Sequence, residues 1–219
     1  MNSAISPPNQ AELPAAEILE SRTTGWLAQC RELHCAPPFG SWVRAPEDAI
    51  AKASSREVVY GVVSKIETAP FDLNRRPVAL WTSEDEMSQR HPQIGKLLRT
   101  TFEVQCLGWS EKSDVKTSNA DLEYSIYQSL PPQPPRLHSF VLRCADADVR
   151  RFTQKHDWIR LLLNGATENA DELIIAVSRH AIKAHNSDVN YSIALGKTLA
   201  LLLQDDYLRL RAILGRIGM

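Results

Sequence analysis

Two short runs in this 219-residue chain carry residue types that could do chemistry at close spacing. The first is Gly196-Lys197-Thr198, which matches the end of a phosphate-binding loop. That loop needs G-x-x-x-x-G-K-[ST] between a strand and a helix, so that backbone N–H groups wrap the phosphates. Tyr191 stands where the first glycine is required. The flanks, Ser192–Leu195 and Leu199–Leu203, read as one helix, with Lys197 facing solvent. Asp205-Asp206 mimics a magnesium-binding acidic pair but lies too close, inside helical sequence. The second run, Cys30-Arg31-Glu32-Leu33-His34-Cys35, offers Cys30, His34 and Cys35 as metal ligands. A structural zinc site needs four ligands, typically two short pairs. Cys106 and Cys144 are single and distant, so only folding could bring either of them near, and the expectation is reduced thiols without metal.

The remaining polar residues form no catalytic set. His180 and His185 are five apart, which turns them away from one another on a helix. Glu84-Asp85-Glu86 reads as a solvated acidic loop rather than an acid–base pair. Neither a nucleophile elbow nor a zincin helix motif occurs. The sequence therefore predicts no catalytic, cofactor-binding or metal-binding residues and no cofactor. Trp42, Trp81 and Trp109 fall in the strand-rich half, where oligonucleotide-binding barrels place stacking aromatics. No basic stripe accompanies them, which favours a core role.

Composition sets the class. With 43% hydrophobic and 23% charged residues, the chain can bury a core without disulfides or metals. A net charge of −1 argues against binding that works by phosphate neutralisation. No apolar run approaches the roughly 20 residues of a membrane span. Met1–Gln10 lacks the pattern of a secretory signal, so the expected location is cytoplasmic, and residues 1–15 read as a disordered tail.

Residues 16–144 read as a strand-rich domain. Glu17–Ser21 is an opening strand or a short helix, and Thr23–Cys30 a second strand. Pro37-Pro38 marks an edge or turn before an alternating strand from Phe39 to Arg44. Glu57–Thr68 is the clearest strand: Val58, Tyr60, Val62 and Ile66 share one face, Val59, Gly61, Val63, Lys65 and Glu67 the other. Gly61 in its middle predicts a bulge or bend. Val78–Trp81 is a short candidate strand, and Pro92–Leu98 a short helix. In Thr101–Trp109, Leu107 and Trp109 share a face opposite Cys106 and Gly108. Ser110–Gln128 carries no core pattern and reads as a long loop. Prolines 131, 132, 134 and 135 form an extended strap into a closing strand, His138–Cys144.

Residues 145–219 switch to helical periodicity. One helix runs from an Asp146 or Asp148 cap to Leu163, stopped by Asn164-Gly165. Others span about Ala170–Ala184, Val189–Leu203 and Asp205–Ile217. The last should bury Tyr207, Leu208, Leu210, Ile213 and Leu214 and carry an Asp205–Arg209 pair. The predicted class is α+β: a small antiparallel barrel of about six strands followed by an all-helical subdomain.

The strand-rich half resembles the HAS barrel, shared by HerA-type DNA-translocating ATPases and rotary ATP synthase subunits. The residues that carry the likeness are Glu17–Ser21, Pro38-Phe39-Gly40-Ser41-Trp42-Val43-Arg44, Tyr60-Gly61-Val62-Val63, and the prolines before His138-Ser139-Phe140-Val141. The whole chain resembles a group of proteins of cyanobacterial type that carry this barrel without an ATPase domain. In the family the barrel crowns a motor and helps subunits assemble, so the resemblance implies a contact role. The phosphate loop, acidic strand end and arginine finger of the motor have no counterpart here. The expected function is a non-catalytic protein-interaction or assembly module with a protein partner or self-association. The alternative is a nucleic-acid-binding barrel that uses Trp42, Trp81 and Trp109.

Overall fold

A computed structural model describes residues 14–46, 57–72, 79, 86, 89–90, 97–112, 124–165 and 169–218. Seven strands form one antiparallel sheet: β1 (Pro14–Arg22), β2 (Gly25–Cys30), β3 (Trp42–Pro46), β4 (Glu57–Pro70), β5 (Leu98–Lys112), β6 (Tyr124–Tyr127) and β7 (Phe140–Arg143). Their order is β2-β1-β7-β3-β4-β5-β6. A further pairing of β2 with β5, from Gly25↔Gln105 to Gln29↔Thr101, closes the first six into a barrel. Closure removes the open edges that would otherwise template aggregation. β6 remains outside the ring, paired only with the far end of β5. Five helices follow: α1 (Asp146–Phe152), α2 (Trp158–Leu163), α3 (Ala170–Ala184), α4 (Val189–Leu202) and α5 (Tyr207–Ile217). The chain is α+β, a closed six-stranded barrel with one added strand and a C-terminal helical layer.

Two apolar clusters organise it, one on each side of the sheet. Inside the barrel lie Ile18, Trp26, Ala28, Val43, Val59, Val63, Phe102, Val104, Cys106 and Val141. Outside it, Trp42, Val58, Tyr60, Val62 and Leu107 join the buried faces of all five helices. The Glu57–Thr68 strand therefore buries both faces along Val58–Val63. The seam is aromatic. Phe152 of α1 lies 5.4 Å from Trp42 and 5.0 Å from Tyr60, and Trp158 of α2 meets Trp42 edge-on at 5.5 Å. Such pairs contribute about 0.5–1.5 kcal/mol each beyond the area they bury. Gly108 accommodates this layer: a Cβ there would sit 2.8 Å from the Phe152 ring.

Two bulges re-aim side chains that simple alternation misplaces. The register slips between Tyr60 and Gly61, which leaves Leu107 as an extra residue on β5. Leu107 then joins the outer cluster, while Trp109 moves to the side of the barrel core, opposite Val59. Leu107 and Trp109 therefore do not share a face. A second slip between Val63 and Lys65 puts Ile66 opposite Phe102, away from Val58, Tyr60 and Val62. The bulge expected at Gly61 is present. The indole of Trp26 lies over Gly61, where a Cβ would approach within 3.1 Å of the ring and 2.5 Å of Val104.

Glu17–Ser21 is the expected opening strand, within β1. Other expectations need correction. The strand after the double proline begins at Trp42, not Phe39. Gly40 takes a left-handed φ of 76° and touches Ala176 of α3, so Pro37–Gly40 is a clip between barrel and helices, and Phe39 packs on the helical core. The Ser110–Gln128 stretch is not wholly loop: Ser110–Lys112 continue β5, and Tyr124–Tyr127 form β6. The single helix expected to Leu163 is two, α1 and α2. The side chain of Gln128 fills the break, donating to the carbonyls of Phe152 (2.6 Å) and Lys155 (3.0 Å) and accepting from the Trp158 N–H (3.0 Å). Val78, Leu80 and Trp81 lie outside the described residues, as does all but the end of Pro92–Leu98. Leu98 itself opens β5.

The proline strap crosses the barrel and is fastened by the Ser21 hydroxyl to the Pro135 carbonyl and by His138 N–H to Ile18 O at 2.9 Å. Because barrel and helices share the outer cluster, they should unfold together. Phe152→Ala should cost about 3–5 kcal/mol. Urea unfolding followed by tryptophan fluorescence and by far-UV circular dichroism checks this. The two signals should shift together to lower denaturant, and separate transitions would contradict the shared core.

Candidate docking face

The chemically suggestive residues are placed first. Gly196, Lys197 and Thr198 lie in the middle of α4, with Lys197 exposed and the Thr198 hydroxyl donating back to the Ala194 carbonyl at 3.1 Å. A helix interior has no free N–H groups to wrap a phosphate, so the fragment is an ordinary helical turn. Cys30 is buried in the barrel core, and His34 and Cys35 are exposed beyond the end of β2. Burial pushes the Cys30 thiol up to about 11 and the Cys106 thiol up to about 12, so both stay protonated at neutral pH. Among the described residues, no group of three His, Cys, Asp or Glu could hold a metal ion.

Trp42 is buried in the aromatic seam and Trp109 is half-buried, stacked on Tyr127 at 4.4 Å. Neither ring offers a free face of the kind base stacking needs. Trp81 lies outside the described residues.

A groove of about 1080 Å³ between β6 and α1 is lined by Tyr124, Gln128, Arg150, Arg151, Lys155 and Asp157, among others. Two of its cations are engaged in holding the fold. Arg150 donates to the Ala184 carbonyl at 2.7 Å, tying α1 to α3. Arg151 lies over the Tyr124 ring and shares Asp148 with Arg44 of β3. At the groove's inner end Tyr191 sits between two imidazoles. His185 stacks on it at 3.7 Å, and His156 lies 5.2 Å away. The Thr153 hydroxyl donates to Val149 O at 2.7 Å and so must accept from His185 Nε2–H at 2.9 Å. Nε2 of His185 therefore carries a proton.

The C-terminal helices present a different surface. α5 is fastened to the start of α3 by two pairs: Arg209 donates from Nε and Nη2 to one oxygen of Asp171 (2.8 and 2.6 Å), and Arg216 grips both oxygens of Glu172 (2.5 Å each). Arg209 thus pairs across helices, not with Asp205 as expected, and Asp206 caps α5 by accepting from the Arg209 backbone N–H. This docking turns Ile213 and Ile217 inward and leaves Tyr207 and Leu208 exposed, contrary to the expected buried set.

α4 is the unusual element. It has a single charged residue, Lys197, among its fourteen. It buries Tyr191, Leu195 and Leu199 and leaves Val189, Ile193 and Leu201 exposed, at 67%, 50% and 69%. A helix apolar all round is ordinarily covered on every side. Beside it runs a groove of about 580 Å³, walled by Ile182, Val189, Ile193, Leu214 and Ile217, with Gly196 between them. Sequence reasoning marked the α4 residues as helix and expected the barrel edge and the tail helices together to supply a partner surface, without singling out α4. The available signal was the single charge in a fourteen-residue helix.

No protein-family model matches the chain, and no curated protein matches it. No described helix is long and apolar enough to cross a membrane. The folded architecture defines a closed barrel carrying a helical layer in which α4 leaves Val189, Ile193 and Leu201 exposed.

The His–Tyr–His stack generates a pH prediction. Burial is the main cause that lowers both imidazoles, with His185 adding to the effect at His156 and Arg150 at His185, against smaller opposing pulls from Asp157 and Asp188. Their pKa values are lower folded than unfolded, so the unfolded chain binds more protons below the ordinary histidine range. Their stabilising contribution is full above about pH 6.5 and is lost as pH falls through the lowered folded values. The melting temperature should fall between about pH 7.5 and about pH 5.5, and His156→Gln should flatten that fall. An equal slope in wild type and variant would count against the assignment.

Proposed function

We propose that the chain is a non-catalytic interaction or assembly module of the cytoplasm, a HAS-type barrel without a motor whose C-terminal helices dock a protein. One observation carries the reading: α4 leaves Val189, Ile193 and Leu201 exposed, the first two on the wall of an apolar groove, and Tyr207 and Leu208 of α5 are exposed as well. Contiguous exposed apolar surface beside a groove marks interaction sites on soluble proteins. The resemblance to barrels that help subunits assemble supports the same reading. The polar residues are compatible with it, because those with shifted ionisation owe the shift to burial or to neighbouring side chains in the sheet and between helices.

Light scattering after size exclusion, together with affinity capture, tests the proposal. Leu201→Asp combined with Leu208→Asp alters two exposed positions and should leave the melting temperature nearly unchanged. The wild type should associate, with itself or with a retained protein, and the double variant should lose that association. Association insensitive both to these changes and to Ile193→Asp, or absent altogether, would overturn the reading.

A further inference from the structure

One stripe of α4, exposed at Val189, Ile193 and Ala200 and half-buried at Gly196, has an internal order that selects its occupant. Its members are Val189, Ile193, Gly196 and Ala200, spaced four, three and four residues apart. That is the spacing of a coiled-coil seam, whose knobs and holes fit another helix rather than a strand or a flat surface. The two larger side chains occupy the N-terminal half of the stripe and the two smallest the C-terminal half. When a second α4 runs antiparallel across a two-fold axis, Val189 falls opposite Ala200 of the second copy and Ile193 opposite its Gly196. By symmetry each contact is made twice, as an isologous interface requires. Every large side chain then meets a small one, and the missing side chain of Gly196 provides the notch for Ile193.

Charge is compatible with this register. Lys197 is the one charged residue on the helix. The two copies of Lys197 lie five residues apart along the axis, about 8 Å, so like charges are not directly opposed. Each is near the level of Asn190 of the other copy, on the same flank of the pair, whose side-chain oxygen can accept from its ammonium group. Leu201 arrives at the level of Val189 of the second copy, which adds an exposed aliphatic side chain at each end of the contact.

We infer that α4 is a self-association helix: two copies of this chain pair through antiparallel α4 helices, with Ile193 of each seated at Gly196 of the other. This rests on the interaction reading above and names its partner as a second copy.

The test uses the full chain. Light scattering should give a concentration-dependent dimer. Ile193→Asp and, separately, Ala200→Arg should return it to the monomer mass with unchanged circular dichroism. The register is read by cysteine pairing in a Cys35→Ser background. Val189→Cys with Ala200→Cys should form a covalent dimer on mild oxidation. Val189→Cys alone should not, because two copies of position 189 would be about 16 Å apart along the axis. A chain monomeric at every concentration overturns the inference. So does cross-linking by the single variant as efficient as that by the double. If the wild type stays monomeric yet binds another protein that Leu201→Asp with Leu208→Asp releases, self-association fails and the interaction reading stands.

Discussion

The outer face of the barrel is as apolar as its inner face along β4, and the rest of the molecule follows from this. Val59 and Val63 fill the barrel while Val58, Tyr60 and Val62 point the other way and are equally buried. A barrel of this kind cannot stand in water by itself, because fully burying a side chain such as valine contributes about 1.5–3 kcal/mol relative to exposing it. The five helices are the cover. Phe152 packs on Trp42 and Tyr60 while Trp158 packs on Trp42, and the helical stretch that carries them breaks between the two rings. The break between them exposes backbone groups, and Gln128 reaches across from the sheet to satisfy them. The extra strand β6 is what delivers Gln128 to that position.

The cover has an outer boundary, and there the same logic is left incomplete. α3 lies against α1, α2 and α5, and its buried set, from Leu173 to Ala184, occupies the centre of the outer cluster. α4 contributes Tyr191, Leu195 and Leu199 to that cluster and has little polar surface to turn outward. Most helices at the boundary of a domain resolve this with charge. Here α5 does so, with Arg209 and Arg216 held on carboxylates of α3. The contrast between α5 and α4 locates the interaction surface more sharply than the barrel does, since the barrel is closed and its interior is filled with side chains.

Much of the architecture was legible from sequence. Alternation located β4 and β5, the double proline marked the clip before β3, and helical periodicity located α3, α4 and α5 nearly to the residue. The misassignments have specific causes. Ile66 and Trp109 were placed on the wrong faces because a bulge of one residue inverts every later side chain, and a bulge is a property of the pair of strands. β6 was missed because four residues with mixed polarity, Tyr124–Tyr127, show no period of their own. They become a strand only where β5 offers an edge. Tyr207 and Leu208 were assigned to the core because apolar residues on a helix were assumed to face inward. The ion pairs to α3 instead set the rotation of α5 and point Ile213 and Ile217 inward.

The sequence by itself determined the class: strands first, helices after, with Gly196-Lys197-Thr198 inside helical sequence. These are local matters of period, propensity and motif spacing, which a chain carries in one dimension. Only the tertiary structure decided that the barrel closes through β2 and β5, that helices cover its outer face, and that α4 is left with an apolar side uncovered. Those outcomes depend on which surfaces meet at long range. The same apolar residue is core or docking surface according to what folds against it, and no spacing along the chain states that in advance.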